Sequence, residues 1–421
     1  MRRILAIFLA VSLVPVAATA GPVSPSVSGS TETFTTFWRE LDPYAASDAT
    51  KSRMPVYQYV TVRGRDLGVA GLSADVSGFG QLELLKGFAA DRATGDLMYG
   101  YVRYVDPKGY VRATAGRQFV YRGAGYGVAL DGATVEGFLP LNLQVQAFGG
   151  IVAERTFEGT LDRPAVGGRL AWMPRDFGHV GASYYQEWSS DQIDRQNVGA
   201  DFAFRYFKEV TVDGSSTFDM VGHGVQDVDL TVSYLPFRWA SIFVHYGLFD
   251  PDALLPRTSI FWVFARELHQ SVGGGFDVRP FQGFTFWVNW DQYLYGSGDT
   301  GYLGKARASY QLPVTIPVTV GLEYDRMSET ENGYDAVRVF GTGETGYGLR
   351  FSAEVLAYFF AHDVRSYDKV ITGFGGLGYR FLHGLVLDVG AEVNRTPLVS
   401  SEVRGLAKLT WDFSFGEEGT R

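Results

Sequence analysis

Apolar and polar residues alternate with a period of two in run after run of this chain, from residue 56 to Phe415. That period belongs to strands whose two faces meet different surroundings. Val228, Leu230, Val232 and Tyr234 alternate with Asp227, Asp229, Thr231 and Ser233. Phe284, Phe286, Val288 and Trp290 alternate with Thr285, Trp287, Asn289 and Asp291, and Val318, Val320, Leu322 and Tyr324 with Thr319, Gly321, Glu323 and Asp325. The last run is the most regular. Val403, Gly405, Ala407, Leu409, Trp411, Phe413 and Phe415 share one face, with Arg404, Leu406, Lys408, Thr410, Asp412 and Ser414 on the other.

Short Pro or Gly turns separate these runs, among them Asp106-Pro107-Lys108-Gly109, Leu139-Pro140-Leu141-Asn142, Met173-Pro174-Arg175-Asp176 and Arg279-Pro280-Phe281-Gln282-Gly283. Between Pro174 and Pro236 the spacing is wider, and Asp213-Gly214 is expected to supply a further turn. Each interval holds two strands and one longer polar connection, such as Gly296–Gly301 or Ser328–Asp335. Short turns at one end and longer loops at the other are the asymmetry of a bacterial outer-membrane barrel.

A soluble sandwich or propeller is the alternative. It would bury one face against a second layer, and burying Asp227, Asp229, Asp291 and Glu323 unpaired would cost several kcal/mol each, on the order of 2–7. A water-filled lumen removes that cost. The apolar faces also end in rings close to the turns, at Trp172, Tyr234, Trp239, Tyr379, Phe381 and Trp411, which suits membrane interfaces. The expected fold is all-β: a transmembrane antiparallel barrel over 56–415, of about 20 strands within an even-numbered range of 18 to 22. Residues 21–55 are expected to form a periplasmic lead-in, with room for a first strand at Thr33–Leu41, and 416–421 a short tail.

The N-terminus carries an address. Arg2-Arg3, the apolar run Ile4–Val14 and Ala18-Thr19-Ala20 have the three-part order of a secretory signal peptide over residues 1–20. The expected location is therefore the bacterial outer membrane, reached through the periplasm. Cleavage would leave the chain more acidic than its formal net charge of −9, which gives no support to nucleic-acid binding. With no cysteine, the chain offers no disulfide framework, thiolate metal site or c-type haem attachment.

Two resemblances follow from particular residues. The strand ending Trp411-Asp412-Phe413-Ser414-Phe415 resembles the terminal aromatic signal of outer-membrane proteins. That resemblance implies recognition by the barrel-assembly machinery, with Trp411, Phe413 and Phe415 as its rings, although Gly416–Arg421 follow it. Separately, Ala115-Gly116-Arg117-Gln118-Phe119 followed by Leu130-Asp131-Gly132-Ala133 resembles a local pattern of the alginate-export-like porins. It spans a small part of the chain and implies a porin class without naming a solute. By pattern, the whole mature chain is similar to outer-membrane porin-like proteins.

Motifs for chemistry are sparse. The six histidines, His179, His223, His245, His269, His362 and His383, show no ligand spacing, and no nucleophile turn accompanies them. Neither an enzyme nor a cofactor is expected. Gly123-Ala124-Gly125-Tyr126-Gly127 lacks the Lys and Ser or Thr of a phosphate loop.

If polar residues face inward, the lumen is lined by Arg112, Arg205, Asp227, Asp229, Asp291, Lys305, Arg307, Glu323 and Asp325. This mixed set decides no charge preference. The implied function is a porin through which small polar solutes diffuse, with outer-membrane lipid around it. The alternative is a barrel that sheathes or scaffolds a periplasmic or surface partner, such as an electron-conduit complex. The connection from Asp250 to about Leu268 is more apolar than an exposed loop. Folded into the mouth, it would bring Arg266 and Glu267 to a constriction; continuing as strand, it would be wall.

Overall fold

The computed structural model describes residues 25–41, 50–85, 93–121, 123, 127–153, 163–174, 177–189, 192–207, 209–250, 268–328, 333–364, 367–382, 384–395 and 402–416. The signal segment, most of the tail, and Arg266 and Glu267 lie outside them.

The chain runs through β1 (Ser26–Leu41), β2 (Thr50–Arg53), β3 (Pro55–Arg65), β4 (Leu72–Glu83), β5 (Ala93–Val105) and β6 (Val111–Val120). It continues with β7 (Val128–Leu139), β8 (Leu143–Val152), β9 (Pro164–Trp172), β10 (Gly178–Ser189), β11 (Gln192–Tyr206) and β12 (Val210–Asp219). Then come β13 (Gly224–Phe237), β14 (Ala240–Phe249), β15 (His269–Val278), β16 (Phe284–Tyr295), β17 (Thr300–Leu312) and β18 (Val318–Ser328). The last are β19 (Gly333–Glu344), β20 (Leu349–Val364), β21 (Tyr367–Leu382), β22 (Leu385–Arg395) and β23 (Glu402–Phe415).

From β3 to β23 each strand pairs antiparallel with the next. β1 pairs with β23, from Val27↔Phe415 to Phe37↔Gly405, and on its other side with β3, from Ser26↔Arg65 to Thr35↔Val56. The sheet is thereby a closed ring of 22 strands. β2 stands outside the ring, extending only the far end of β1 where Trp38 opposes Arg53.

The first wall strand begins at Ser26, inside the stretch read from sequence as a lead-in. Its outward face carries Thr31, Thr33 and Thr35, with few aliphatic side chains, so the hydrophobic alternation there is faint. Asp213-Gly214 is no turn; it lies within β12, with Asp213 opposite Thr231. The turn comes earlier, at Phe207, where φ is +52°.

Register carries one parity around the whole ring. Partners across an antiparallel pair share a face, and the step from Lys305↔Asp325 and Arg307↔Glu323 can be followed strand by strand to Lys408↔Phe34. One face holds Val102, Val135, Leu170, Val198, Val244, Leu322, Val355 and Val403, all well exposed. In a soluble protein so broad an apolar surface would be a liability; against lipid it is the required exterior. It wraps the full circumference, so the barrel spans a membrane.

At the short-turn end rings gather into a girdle. Phe237 stacks on Trp239 at 5.0 Å, Phe281 on Phe284 at 5.0 Å, and Tyr379 meets Phe381 edge-on at 4.8 Å. Trp411, Phe413 and Phe415 form a continuous outward row on β23, at 5.2 and 5.7 Å. The Phe413 ring lies over Gly29 of β1, where a Cβ would come within 2.6 Å of it. Here the absent side chain on β1 seats the last strand at the closing seam.

Replacing Trp411, Phe413 and Phe415 together with Asp should keep the protein out of the membrane. Charges on a lipid face cost up to about 2–4 kcal/mol each near the midplane, with Asp below Lys and Arg. Normal membrane levels by quantitative blotting would contradict the assigned face.

Candidate functional site

The inner wall is where the chemistry collects. Arg112, Arg205, Asp227, Asp229, Asp291, Lys305, Arg307, Glu323 and Asp325 all share the inward parity. Arg112 bonds Glu136 at 3.3 Å, and Gln144 donates to the same carboxylate at 3.0 Å. Arg205 sits near the short-turn end, opposite Thr211. Lys305 faces Asp325 across β17 and β18.

On the far wall the charges alternate as a ladder. Glu323 lies 3.9 Å from Arg307 and 3.6 Å from Arg338, which reaches Glu354 at 2.6 Å. The Phe340 ring lies under both guanidinium groups, at 4.7 and 5.1 Å. Further round, Arg350 pairs with Asp388 at 2.7 Å, Arg404 with Glu402 at 2.8 Å, and Lys408 with Glu32 at 2.7 Å. Arg338, Arg350, Glu354 and Asp388 were absent from the sequence-derived set. Their signal was the same alternation, since each sits beside an outward Val or Leu.

Three of the ion pairs in the middle of the inner wall skip a strand. Strands lie about 4.8 Å apart, so residues two strands away meet only over a gap in the intervening side chains. Glycine supplies the gap each time. Arg169 of β9 reaches Asp201 of β11 across Gly181, whose hypothetical Cβ would lie 2.7 Å from the guanidinium and 2.8 Å from the carboxylate. His245 of β14 meets Asp291 of β16 at 2.6 Å across Gly273, and Arg350 meets Asp388 across Gly378. Asn289 also donates to Asp291 at 2.6 Å, and His179 lies 3.1 Å from Asp201. Both histidines are therefore tied to wall carboxylates.

The lumen is unevenly filled. Near the long-loop end of β6 to β13 the inner face is covered: Leu130 and Tyr185 are 0% exposed, with Phe148, Glu187, Asn197 and Thr217 buried beside them. Tyr185 donates to Glu187 at 2.7 Å, and Asn197 to Gln226 at 2.8 Å, so this layer is polar as well as apolar. Gly123 sits against Ser183 and Arg169 on the same wall. Below it is a recess of about 450 Å³ whose acidic lining is Asp201, Asp213 and Asp229. Arg169 and His179 attend Asp201. Among the described residues no basic group lies within ion-pair distance of Asp213, Asp227 or Asp229. A second recess, of about 570 Å³, lies on the ladder side and includes Glu344, Arg350, Phe374, Asp388 and Lys408. Among the described residues no group of three or more His, Asp or Glu is arranged to hold a metal ion.

Arg117 and Asp131, the residues of the local porin pattern, are register partners with outward parity. They make a two-bond pair, Nε to Oδ1 and Nη2 to Oδ2, both at 2.8 Å.

No protein-family model and no curated protein matches the chain. The resemblance to alginate-export-like porins thus finds no support. Solved structures do match in shape. The translocation pore of the P pilus usher PapC aligns with 94% of this chain and 100% of its own, at TM-score 0.50 and 10% identity. An Escherichia coli P pilus tip assembly intermediate containing PapC aligns over 93% of this chain at TM-score 0.54 and 10% identity, the match spanning 62% of that chain. Pseudomonas aeruginosa OccK3 (OpdO) aligns over 92% of this chain and 96% of its own, at TM-score 0.45 and 11% identity. At such identities the likeness is one of fold: a large closed β-barrel.

Replacing Gly181 with Leu should part Arg169 from Asp201. Arg169 is 4% exposed, and stranding a buried charge costs about 3–5 kcal/mol. The variant should unfold from lipid at markedly lower urea concentration than wild type, and an unchanged midpoint would show that the pair contributes nothing.

Proposed function

We propose that this chain is a channel of the bacterial outer membrane through which small polar solutes diffuse along the barrel axis. The observation that carries the reading is the division of one closed wall into two faces. Its outside is apolar around the whole circumference, and its inside presents the charges and amides just described. Such an interior is stable only if water reaches it. A solute crossing it exchanges hydration for a lining that is itself hydrogen-bonded and largely ion-paired, so passage needs no tight binding.

Width favours a second reading as well. Twenty-two strands spaced about 4.8 Å and tilted about 40° close on a backbone diameter of roughly 44 Å. A bore of that order could enclose a partner, and barrels of this strand number are known with plugged lumens. In the channel reading, the covered inner face of β6 to β13 narrows the path at the long-loop end. In the sheath reading, the lumen is plugged and does not conduct by itself.

Purified protein in a planar bilayer separates the two. A channel gives steady single-channel conductance by itself; a persistently silent bilayer, with insertion verified by protease protection, would refute the channel. The three uncompensated carboxylates give the channel a sign. Replacing Asp213, Asp227 and Asp229 with Asn should lower the cation-to-anion permeability ratio, read from the reversal potential in a salt gradient. A ratio unmoved by the triple change would place the ion path elsewhere in the lumen.

A further inference from the structure

The wall has a slit between β5 and β6. β5 and β6 are paired only from Gly100↔Arg117 to Val105↔Arg112, yet β5 begins at Ala93 and β6 continues to Val120. On their outer sides both strands stay paired, β5 with β4 up to Leu82↔Ala93, through a bulge at Met98 between Ser77↔Tyr99 and Gly78↔Leu97, and β6 with β7 up to Val120↔Val128. The two therefore diverge at the long-loop end. The break begins beside Gly116, whose φ of +121° is open to glycine and strained for other residues.

A cavity of about 180 Å³ occupies the slit. It is bounded by inward residues, Tyr59, Phe79 and Asp96, and by outward ones, Leu97, Phe119 and Ala129. One cavity bordered by side chains of both faces lies within the thickness of the single-layered wall. On the lumen side a track of stacked rings leads to it, Phe34 on Tyr57 at 4.6 Å, Phe34 on Tyr59 at 5.9 Å, and Tyr59 on Phe79 at 5.7 Å.

Among the described residues the only charged groups lining the cavity are Arg117 and Asp96, and they are already engaged. Arg117 holds Asp131 through Nε and Nη2, and its Nη1 donates to the Leu97 carbonyl at 2.9 Å and to Asp96 at 3.4 Å. One cation set between two carboxylates does not attract an anion. The rest of the lining is aromatic and aliphatic. A cavity of about 150 Å³ with such a lining accepts benzene, so the dimensions suit one ring.

We propose that this slit is a lateral port, through which neutral single-ring aromatic molecules pass between the lumen and the lipid-facing surface. Arg117 bridges the mouth and keeps the two strand ends from parting further. The port is independent of whether ions cross the barrel axially.

The chain has no cysteine, so one introduced at the inner end of the port reports access cleanly. Phe79→Cys protein in lipid nanodiscs would be labelled with neutral N-phenylmaleimide and, separately, with a sulfonate-bearing methanethiosulfonate that can arrive only through water. Adding Ala129→Trp, which fills the cavity from the outward side, should slow phenylmaleimide labelling about tenfold while leaving the sulfonate rate unchanged. Ala129→Leu, a smaller filler, should give a graded, lesser slowing of the same reagent only. Equal slowing of both reagents, or of neither, overturns the port. If the sulfonate fails to label Phe79→Cys while phenylmaleimide succeeds and is blocked by Ala129→Trp, the port stands and the open axial channel falls.

Discussion

Everything in this molecule depends on pairing the backbone where no water can do so. In the hydrocarbon of a bilayer each unpaired amide or carbonyl costs several kcal/mol, so a sheet that crosses must close upon itself. The seam between β1 and β23 meets that demand through eleven register positions, from Val27↔Phe415 to Phe37↔Gly405. The strand that completes the ring is among the least conspicuous in the sequence. Its outward threonines are tolerated because its backbone partners on both sides satisfy the requirement that side chains alone do not reveal.

Closure then sets the problem of the interior. A ring this wide cannot fill its centre with side chains from the wall, and most of its inner charges are too far apart in sequence to pair locally. The solution visible here is lateral. Ion pairs form along the wall, between adjacent strands where register allows and over an intervening glycine where it does not. Gly181, Gly273 and Gly378 therefore act as spacers between charged neighbours. Glycine in a strand is usually a weakness; on an inner wall it lets two long side chains meet without distorting the ladder.

The two halves of the lumen differ in the same terms. Around β17 to β23 most inward charges are ion-paired along the wall. Around β12 and β13 three aspartates lack an ion-pair partner among the described residues, and beside them a buried layer covers the wall at the long-loop end. Pairing along one side and charge excess on the other give the bore a polarity across its width, which a count of charges in the sequence would average away.

The alternation of Val320, Leu322 and Tyr324 with Glu323 and Asp325 was enough to assign the inner and outer faces, because a period of two follows from strand geometry whatever the strand's neighbours. The turns at Pro107, Pro140 and Pro280 were equally legible, since proline interrupts a ladder locally. Other features had no local cause. The count of 22 and the start at Ser26 depend on which strand meets which, as does the assignment of Asp213-Gly214 to the middle of β12. Arg350 meets Asp388, and His245 meets Asp291, only once two strands are laid beside a third. The parting of β5 from β6 has no mark in either strand's composition, because it is a property of the space between them. Sequence determined the local rhythm and the environment of each face; the tertiary structure alone decided closure, partnership across strands and the places where the wall opens.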